Sequence, residues 1–391
     1  MHELDERTAM VIAGIPAHDM TLYHRIRFSV GDPAAWIAWN RDGVSGSRLM
    51  LRDIEMDRAR RHARAETIVC PADFTPEAGL SADRAVATAQ ATAECLVRDG
   101  FERAIVHRDL PALFVDCLQE RGITVVCDRD LGVNDRRAKV AGEIAAMTKA
   151  QEATESAIRI ACETIGGADL ASDGTLEVDG SPLTSERVRA IIASHLIESG
   201  HSPRPAIVAG GPQGADCHEL GSGVLRTGEP VIVDVFPRDT GTLYNGDCTR
   251  TVVHGDVPPE VGRMHAAVVE AKAAGVEATR AGVTAQSVHE ATIAVIRAHG
   301  FGVGLPGPED PPEARMVHGT GHGLGLDVHE PPLLDFAPSG ESPRLVVGDA
   351  LTIEPGLYDP RIGGIRIEDL VFVEEDGCRN VNRLPESLTW A

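Results

Sequence analysis

Residues 318–330 read His-Gly-Thr-Gly-His-Gly-Leu-Gly-Leu-Asp-Val-His-Glu. Three histidines, His318, His322 and His329, stand in this short glycine-rich segment. It is not a phosphate-binding loop, because histidine alternates with the glycines and no helical pattern follows them. Imidazole is a frequent metal ligand and proton carrier, so the segment indicates a functional site.

Three carboxylates on either side of this segment stand in apolar, β-branched runs. They are Asp234 in Val-Ile-Val-Asp-Val-Phe (231–236), Glu354 in Leu-Thr-Ile-Glu-Pro (351–355) and Glu368 in Ile-Arg-Ile-Glu-Asp-Leu (365–370). An isolated carboxylate in a strand core costs several kcal/mol unless a cation neutralises it. The runs contain too few lysines and arginines to pair all three acids, so a buried metal site is predicted.

The acids also occur in pairs that fit two hairpins. Asp234 and Asp247 are joined by a turn-rich connection, and so are Glu354 and Glu368. Four carboxylates and one imidazole suit Mn²⁺, Co²⁺, Fe²⁺ or Zn²⁺. Because four carboxylates carry too much charge for one divalent ion, two ions that share carboxylates and a water are expected.

Each of these residues, taken singly, has a structural interpretation. Asp247 follows Asn-Gly and is typical of a turn, Glu368 can pair with Arg366, and His322 can be a hydrogen-bonded structural histidine. The glycine-rich segment alone can be a flexible loop. These interpretations do not explain why strand-core acids and clustered histidines occur together.

Composition restricts the class of partner. The chain has 391 residues and a formal net charge of −22, which argues against nucleic acid and anionic membranes. The eight cysteines are scattered without a Cys-x-x-Cys pair, as in a protein with reduced thiols. No stretch has the roughly 18 apolar residues of a membrane span, and the N-terminal residues do not resemble a signal peptide. A cytoplasmic location is expected.

Two domains are predicted, residues 1–135 and 136–391. In the first, Arg103–His107 reads as a strand, Leu110–Glu120 as a helix and Ile123–Cys127 as a strand, which favours an α/β domain with parallel pairing. Residues 128–139 are charged and non-periodic, as in a linker.

The second part alternates helices with pairs of strands, which favours an α+β domain with a largely antiparallel, helix-covered sheet built from two similar halves. Residues 306–313 form a proline-rich loop. The expected helices are Glu143–Ile165, Ser185–Ser199, Pro259–Arg280 and Thr284–His299, and the expected strands are Ala206–Ala209, Val231–Phe236, Cys248–Val253, Ala350–Ile353 and Ile365–Val373.

The combined motifs resemble the signature of the aminopeptidase P and prolidase group. The matching stretches are His318-Gly-x-Gly-His322-x-x-Gly-x-x-x-His329-Glu330, Glu354-Pro-Gly-Leu-Tyr358 and Gly364-Ile-Arg366-Ile-Glu368-Asp369. Arg137-Ala-Lys139 and Glu143-Ile-Ala-Ala-Met147 are similar to the group's entry into its catalytic domain. The resemblance implies a dinuclear metallopeptidase of the pita-bread fold, related to methionine aminopeptidase and creatinase. It also implies that a smaller creatinase-type α/β domain precedes this catalytic domain in the sequence.

The resemblance also implies a role for each matching residue. Asp247 and Glu368 would bridge two metal ions, and Glu354 would also take and relay the proton of the attacking water. His318 and His329 would hold the scissile peptide and stabilise the oxyanion. His218, Arg366 and Tyr358 would stand on the substrate side and brace the site. The implied metal ligands are Asp234, Asp247, His322, Glu354 and Glu368.

One departure concerns the first hairpin. The group usually has its two aspartates about 11 positions apart, whereas Asp234 and Asp247 are two residues further apart. An even extension can keep both side chains on one face, because side chains on a strand alternate with period two. Asp239, in the longer tip, is expected to be solvated.

The implied activity is removal of the N-terminal residue from Xaa-Pro peptides or dipeptides by a water activated between two metal ions, Mn²⁺ being expected. A homodimer is implied as well. Three alternatives stay open: a metal-free amidinohydrolase like creatinase, a C–N hydrolase of the same fold acting on a small cyclic or modified amino acid, and a peptide-binding relative without catalysis.

Overall fold

A computed structural model describes residues 5–41, 43–307 and 313–390. The chain forms two compact units, the first ending at Arg136 and the second starting at Arg137. Most of the proline-rich loop expected at 306–313 lies outside the described residues. Among the helices that the structure describes, none is both long and apolar enough to cross a membrane.

The first unit is built on a six-stranded sheet with the strands β1 Thr8–Gly14, β2 Ala34–Arg41, β3 Val44–Met50, β4 Thr67–Val69, β5 Arg103–His107 and β6 Thr124–Asp128. Their order in the sheet is β4-β3-β2-β1-β5-β6. The β5 and β6 strands run parallel, as the strand–helix–strand pattern predicts. The β1, β2 and β3 strands are instead antiparallel neighbours. The short connection from β2 to β3 contains Gly43 at a φ of 76°, which glycine adopts readily.

Helices cover both faces of this sheet. Alternate residues of β1 point to opposite sides, so that Val11 belongs to one apolar cluster and Ile12 to another. The first cluster includes Leu96 and Leu118, and the second includes Leu22 and Ala59. The helices are α1 Met20–Ile26, α2 Met56–His62, α3 Arg84–Arg98 and α4 Ala112–Glu120.

The helices of the second unit are α5 Ala141–Gly166, α6 Ser185–Glu198, α7 Pro259–Ala278 and α8 Ala285–Ala298. They agree with the sequence pattern to within two residues at each end. Thr184 caps α6 by accepting a hydrogen bond from the Arg187 backbone N–H, at 3.2 Å. Thr284 caps α8 in the same way through the Ser287 N–H. The caps satisfy backbone donors that the first helical turn leaves unpaired.

The strands of the second unit form short, mostly antiparallel sheets, in the orders β11-β12-β14, β15-β16-β20-β21 and β18-β17-β19-β22-β23, with smaller pairings β7-β8-β9 and β10-β13. The strands are β7 Asp169–Leu170, β8 Leu176–Val178, β9 Ser181–Pro182, β10 His201–Ser202, β11 Ile207–Gly210, β12 Pro230–Val235, β13 Arg238–Asp239, β14 Cys248–Val253, β15 Gly302–Val303, β16 Arg315–Met316, β17 Gly321–Gly323, β18 Glu330–Leu334, β19 Ala350–Ile353, β20 Gly356–Asp359, β21 Gly363–Arg366, β22 Asp369–Val373 and β23 Cys378–Asn380.

Each helix pair packs on its own strands. Ile158 of α5 and Val188 of α6 share an apolar cluster with Val233 of β12. Val268 of α7 belongs to another cluster, with Ile365 of β21. Each such fully buried side chain contributes about 1.5–3 kcal/mol, and together they hold the strands that carry the predicted site.

The strand expected at Ile365–Val373 is interrupted at Ile367 and Glu368. The chain leaves the β20–β21 ladder after Arg366 and enters the β19–β22 ladder at Asp369. Between them the backbone N–H of Glu368 donates to the Thr249 carbonyl of β14, at 3.1 Å. Glu368 therefore sits where three strand pairs meet.

Candidate metal centre

One cavity of the second unit, of about 450 Å³, collects most of the residues that the sequence analysis selected. All five predicted ligands line it, and so do His218, His318, His329 and Arg366. Tyr358 is not among the lining residues, but its hydroxyl hydrogen-bonds to two of them. Residues that are remote in the chain are thus brought to one place.

The β12–β14 hairpin orients the two aspartates. Asp234 is the cross-strand partner of Thr249, and Asp247 precedes Thr249 by two residues. Strand alternation therefore directs the three side chains to the same face. The backbone of Asp247 is held from α5, because Gln151 donates to the Asp247 carbonyl at 2.7 Å and accepts from its N–H at 2.8 Å.

Glu354 and Glu368 lie just beyond the last paired position of strands β19 and β22. Ile353 is the partner of Asp369, so the adjacent glutamates stand opposite each other where the ladder ends. The Glu354 N–H donates to the Thr320 carbonyl at 2.7 Å, and Thr249 Oγ1 donates to Glu368 Oε2 at 2.7 Å. Thr249, in the β12–β14 hairpin, thereby holds the carboxylate of Glu368, which lies outside that hairpin.

His322, on β17, presents one ring nitrogen to the acids. Its Nδ1 donates to the Gly323 carbonyl at 3.1 Å, which leaves Nε2 facing Glu354 Oε1 at 3.2 Å and Asp247 Oδ2 at 3.9 Å. A backbone carbonyl on the second nitrogen is the usual way in which a metal-binding imidazole is oriented.

The donor atoms fit a divalent ion. One ligand atom each from Asp247, His322 and Glu368 lies within 4.8 Å of the others, and all three residues are buried. Asp234 Oδ2 accepts from Arg366 Nη2 at 2.6 Å, whereas its buried Oδ1 has no hydrogen-bond partner among the described residues. An orphaned carboxylate oxygen beside a three-donor cluster is an arrangement that a cation would complete.

The pKa shifts of two buried acids indicate that the cavity has too little positive charge to balance its carboxylates. Burial raises the pKa of Asp247 well above its usual value, and the charge of Asp234 raises it further. Burial also raises the pKa of Glu368 well above its usual value, and the charge of Asp247 adds to this rise. Divalent cations would offset this repulsion.

His322 and Glu354 shift each other's pKa in opposite directions. Burial lowers the pKa of His322, but its hydrogen bond to Glu354 and the nearby acids outweigh burial and raise that pKa to about 9. Burial raises the pKa of Glu354, but the contact with His322 outweighs it and lowers the pKa to about 2. A metal ion bound by His322 Nε2 would displace the proton that these contacts favour, because a metal-binding imidazole is neutral.

A hydrogen-bonded chain leads from Arg366 to His318. Arg366 Nη1 donates to the Tyr358 hydroxyl at 3.0 Å, and that hydroxyl lies 2.7 Å from His318 Nε2. Since His318 Nδ1 donates to the Gly319 carbonyl, a neutral His318 ring accepts at Nε2. Burial lowers the pKa of His318, which favours that neutral form. Both nitrogens of His318 are thus engaged within the protein.

The other two histidines are more open. His329 and His218 are exposed while lining the cavity. The His329 ring stands edge-on to His322, with the ring centroids 4.4 Å apart. The next residue, Glu330, is turned away into a buried ion pair with Lys139, whose Nζ lies 2.9 Å from Glu330 Oε2.

The expectation that Asp239 is solvated is wrong. Asp239 is 3% exposed and lies in β13, which pairs with β10. Its Oδ1 accepts from the Thr242 N–H at 2.7 Å, and Lys149 Nζ lies 3.2 Å from its Oδ2. The longer tip folds back on its own chain, so this carboxylate closes the turn.

Several contributors to the site escaped the sequence analysis. Thr249 could have been found, because it stands two residues after Asp247 and strand alternation puts it on the same face. Gln151, Cys217 and Arg204 gave no such signal. The cavity also has an apolar part, formed by Ile207, Phe236, Val328 and Leu333.

Proteins similar in sequence have been named as peptidases. The chain is 38% identical over 207 residues to the "Probable dipeptidase PepE" of Mycobacterium tuberculosis, which is 52% of this chain and 51% of that protein. It is 30% identical over 260 residues to the "Xaa-Pro dipeptidase" of Pyrococcus furiosus, 65% of each chain. The matched part thus spans about half the length of the mycobacterial relative.

The fold extends over nearly the whole chain of a solved structure, the "Xaa-Pro dipeptidase from Bacillus anthracis". The TM-score is 0.78 at 22% identity, with 97% of this chain and 94% of that chain covered. This likeness confirms the predicted fold class, a pita-bread α+β domain that follows a smaller α/β domain in the sequence. Residues 145–375, more than half of the chain, match the profile of metallopeptidase family M24. The chain belongs to metallopeptidase family M24.

Proposed function

We propose that this protein is a metal-dependent hydrolase that removes the N-terminal residue from Xaa-Pro peptides or dipeptides. The observation that carries the proposal is the convergence of four carboxylates and His322 on one cavity, with three donor atoms within 4.8 Å of one another. The name Xaa-Pro dipeptidase, given to the Pyrococcus furiosus relative, supports the class of substrate.

The metal site is proposed to use five ligands. Two divalent cations would supply Lewis-acid activation of a water, whose pKa falls to about 7 on such sites. Mn²⁺ is the proposed ion, with Co²⁺, Zn²⁺ and Fe²⁺ as alternatives of similar ligand preference. The ligands are Asp234, Asp247, His322, Glu354 and Glu368.

Glu354 is proposed to carry the proton. An Xaa-Pro bond is a tertiary amide without an N–H, so its nitrogen must gain a proton as it leaves. Glu354 is only half-buried within the cavity and can accept a proton from water and deliver it to that nitrogen. Thr352 Oγ1, which donates to Glu354 Oε1 at 3.2 Å, keeps the carboxylate in place.

The histidines are proposed to act on the peptide. His329 and His218 face the cavity from exposed positions and can donate to the scissile carbonyl as negative charge develops on its oxygen. His318 must break its contact with Tyr358 to offer an N–H to substrate. The apolar lining at Phe236 and Leu333 suits a pyrrolidine ring.

The test is release of free amino acid from Ala-Pro and Ala-Pro-Ala, with and without chelator, alongside metal analysis. Cleavage that a chelator removes and Mn²⁺ restores is expected. Activity that is indifferent to chelation would favour the creatinase-like alternative and refute the metal mechanism. Metal binding without cleavage of either peptide would favour the small-amino-acid hydrolase or the non-catalytic relative.

Three further statements stay predictions from the sequence: a homodimer, a cytoplasmic location and a domain boundary at residues 135 and 136. Size measurement in solution tests the first of them. None of the three is needed for the chemistry proposed for the cavity.

A further inference from the structure

The tip of the first hairpin, residues 236–246, contacts the turn that joins β17 to β18. In this tip, Arg238 donates from Nη2 to the Leu326 carbonyl at 2.8 Å. Asn245 donates to the Gly325 carbonyl twice, from its backbone N–H and from its side-chain Nδ2, each at 2.9 Å. Two neighbouring carbonyls of the turn are therefore held by the hairpin tip.

Glu330 holds the same turn through a second set of contacts. Its Oε1 accepts from the Asp327 N–H at 3.1 Å, and its Oε2 accepts from Lys139 Nζ at 2.9 Å. Gly325 leaves room for this carboxylate, since a Cβ at that position would lie 2.7 Å from Glu330 Oε2. The turn is thus fixed both by the hairpin tip and by Glu330.

His329, the last residue of this turn before β18, depends on its backbone for its placement. Its ring makes no hydrogen bond to any residue that the structure describes, and it meets His322 edge-on, with the ring centroids 4.4 Å apart. The residue is exposed and lines the cavity. His318, by contrast, is engaged through both of its ring nitrogens. The position of the turn therefore decides where the His329 ring lies.

We propose that Arg238 is a positioning residue for His329. By holding the Leu326 carbonyl it fixes the turn, and with the turn the ring that donates to the scissile carbonyl. This inference rests on the proposed function, since it concerns how His329 reaches the substrate of that cavity. Arg238 stands in the longer tip, so the two additional residues of the hairpin serve this contact.

The experiment measures kcat and KM for Ala-Pro with the Mn²⁺-loaded full chain, in wild type and in His329→Gln. A donor aimed at a developing oxyanion acts in the transition state, so its displacement lowers kcat more than it raises KM. Arg238→Gln should lower kcat by about tenfold with KM nearly unchanged, because a displacement of about 1 Å can cost up to about a hundredfold. Arg238→Lys, which keeps a cationic donor, should recover part of the loss.

The His329→Gln background separates positioning from a general structural role. In that background Arg238→Gln should change kcat by less than about twofold, because the effect acts through His329. Arg344→Gln is the matched control, since Arg344 is exposed, donates to the Gly282 carbonyl at 2.6 Å and does not line the cavity. This control should behave as wild type in both backgrounds.

Hydrogen exchange of the metal-free protein tests the contact without turnover. The amides of residues 324–329 should exchange faster in Arg238→Gln than in wild type, while the melting temperature and the Mn²⁺ affinity, measured by calorimetry, stay nearly unchanged. Asn245→Ala removes one of the two bonds to Gly325 and should show the same pattern in weaker form. This second variant keeps the inference testable if Arg238→Gln does not fold.

A loss of kcat that is equal in both backgrounds overturns the inference, and so does an unchanged kcat or an unchanged exchange rate at 324–329. In each of these cases the proposed function stands, because wild type still cleaves Ala-Pro. If wild type cleaves no Xaa-Pro substrate with Mn²⁺ present, the proposed function fails and the inference fails with it.

Discussion

Replacing Glu368 by glutamine should stabilise the metal-free protein and remove most of its stabilisation by divalent ions. Ligand oxygens of Asp247 and Glu368 lie within 4.8 Å of each other. Two unit charges at that separation repel by about 3.5 kcal/mol at an effective dielectric constant of 20. Proton uptake relieves part of this cost, because both carboxyl groups have raised pKa values. A net gain of about 1–3 kcal/mol is therefore expected at mildly alkaline pH.

The sign of the pH dependence follows from the same shifts. A carboxyl group with a raised folded-state pKa holds its proton in the folded state over a range where the unfolded chain has lost it. The metal-free wild type should therefore lose stability as pH rises from about 4 through the raised pKa values of Asp247 and Glu368. The Glu368→Gln variant should lose less stability over that range. Near pH 4 its free energy of unfolding should match that of wild type within about 1 kcal/mol.

Urea unfolding with EDTA and with excess MnCl₂, across this pH range, measures both effects. Wild type should gain about 2.7 kcal/mol from metal at a hundredfold excess over its dissociation constant. Glu375→Gln, at an exposed carboxylate beyond β22, should leave both curves unchanged. A variant that is less stable than wild type in EDTA at alkaline pH, or that keeps the full metal effect, would refute the reasoning.

Three further predictions concern single contacts. Glu354→Gln should retain metal, measured by elemental analysis, while kcat falls by about a hundredfold or more, because the proposed proton carrier is lost; near-normal turnover contradicts that role. Lys139→Met should cost about 3–5 kcal/mol in urea unfolding by removing the ammonium that lies 2.9 Å from the buried Glu330 carboxylate, and Lys139→Met with Glu330→Gln should cost clearly less; equal costs contradict the pairing. Tyr358→Phe should cost about 1–2 kcal/mol by interrupting the chain from Arg366 to His318; an unchanged unfolding midpoint would contradict this.

Much of the site could be predicted because its residues conflict with their local sequence. Asp234 and Glu368 stand in runs that otherwise read as buried strands, and only a cation resolves that conflict. The hairpin spacing then predicted which acids meet, since strand alternation fixes the face of each side chain. Capped helices such as α6 were predictable for a similar local reason.

The remaining features depend on contacts between distant parts of the chain. Gln151 holds the backbone of Asp247 from a helix 96 residues earlier, and nothing in its own sequence indicates that task. The burial of Asp239 depends on β10 lying beside the hairpin tip. The antiparallel pairing of β1 with β2 likewise joins two strands that α1 separates in the chain.

We propose that five side chains hold two divalent ions in one cavity. Anomalous diffraction from crystals grown with MnCl₂ tests this proposal. Two manganese peaks should lie among Asp234, Asp247, His322, Glu354 and Glu368, with Asp247 and Glu368 between them. Peaks confined to surface carboxylates, with none among these five residues, would contradict the account.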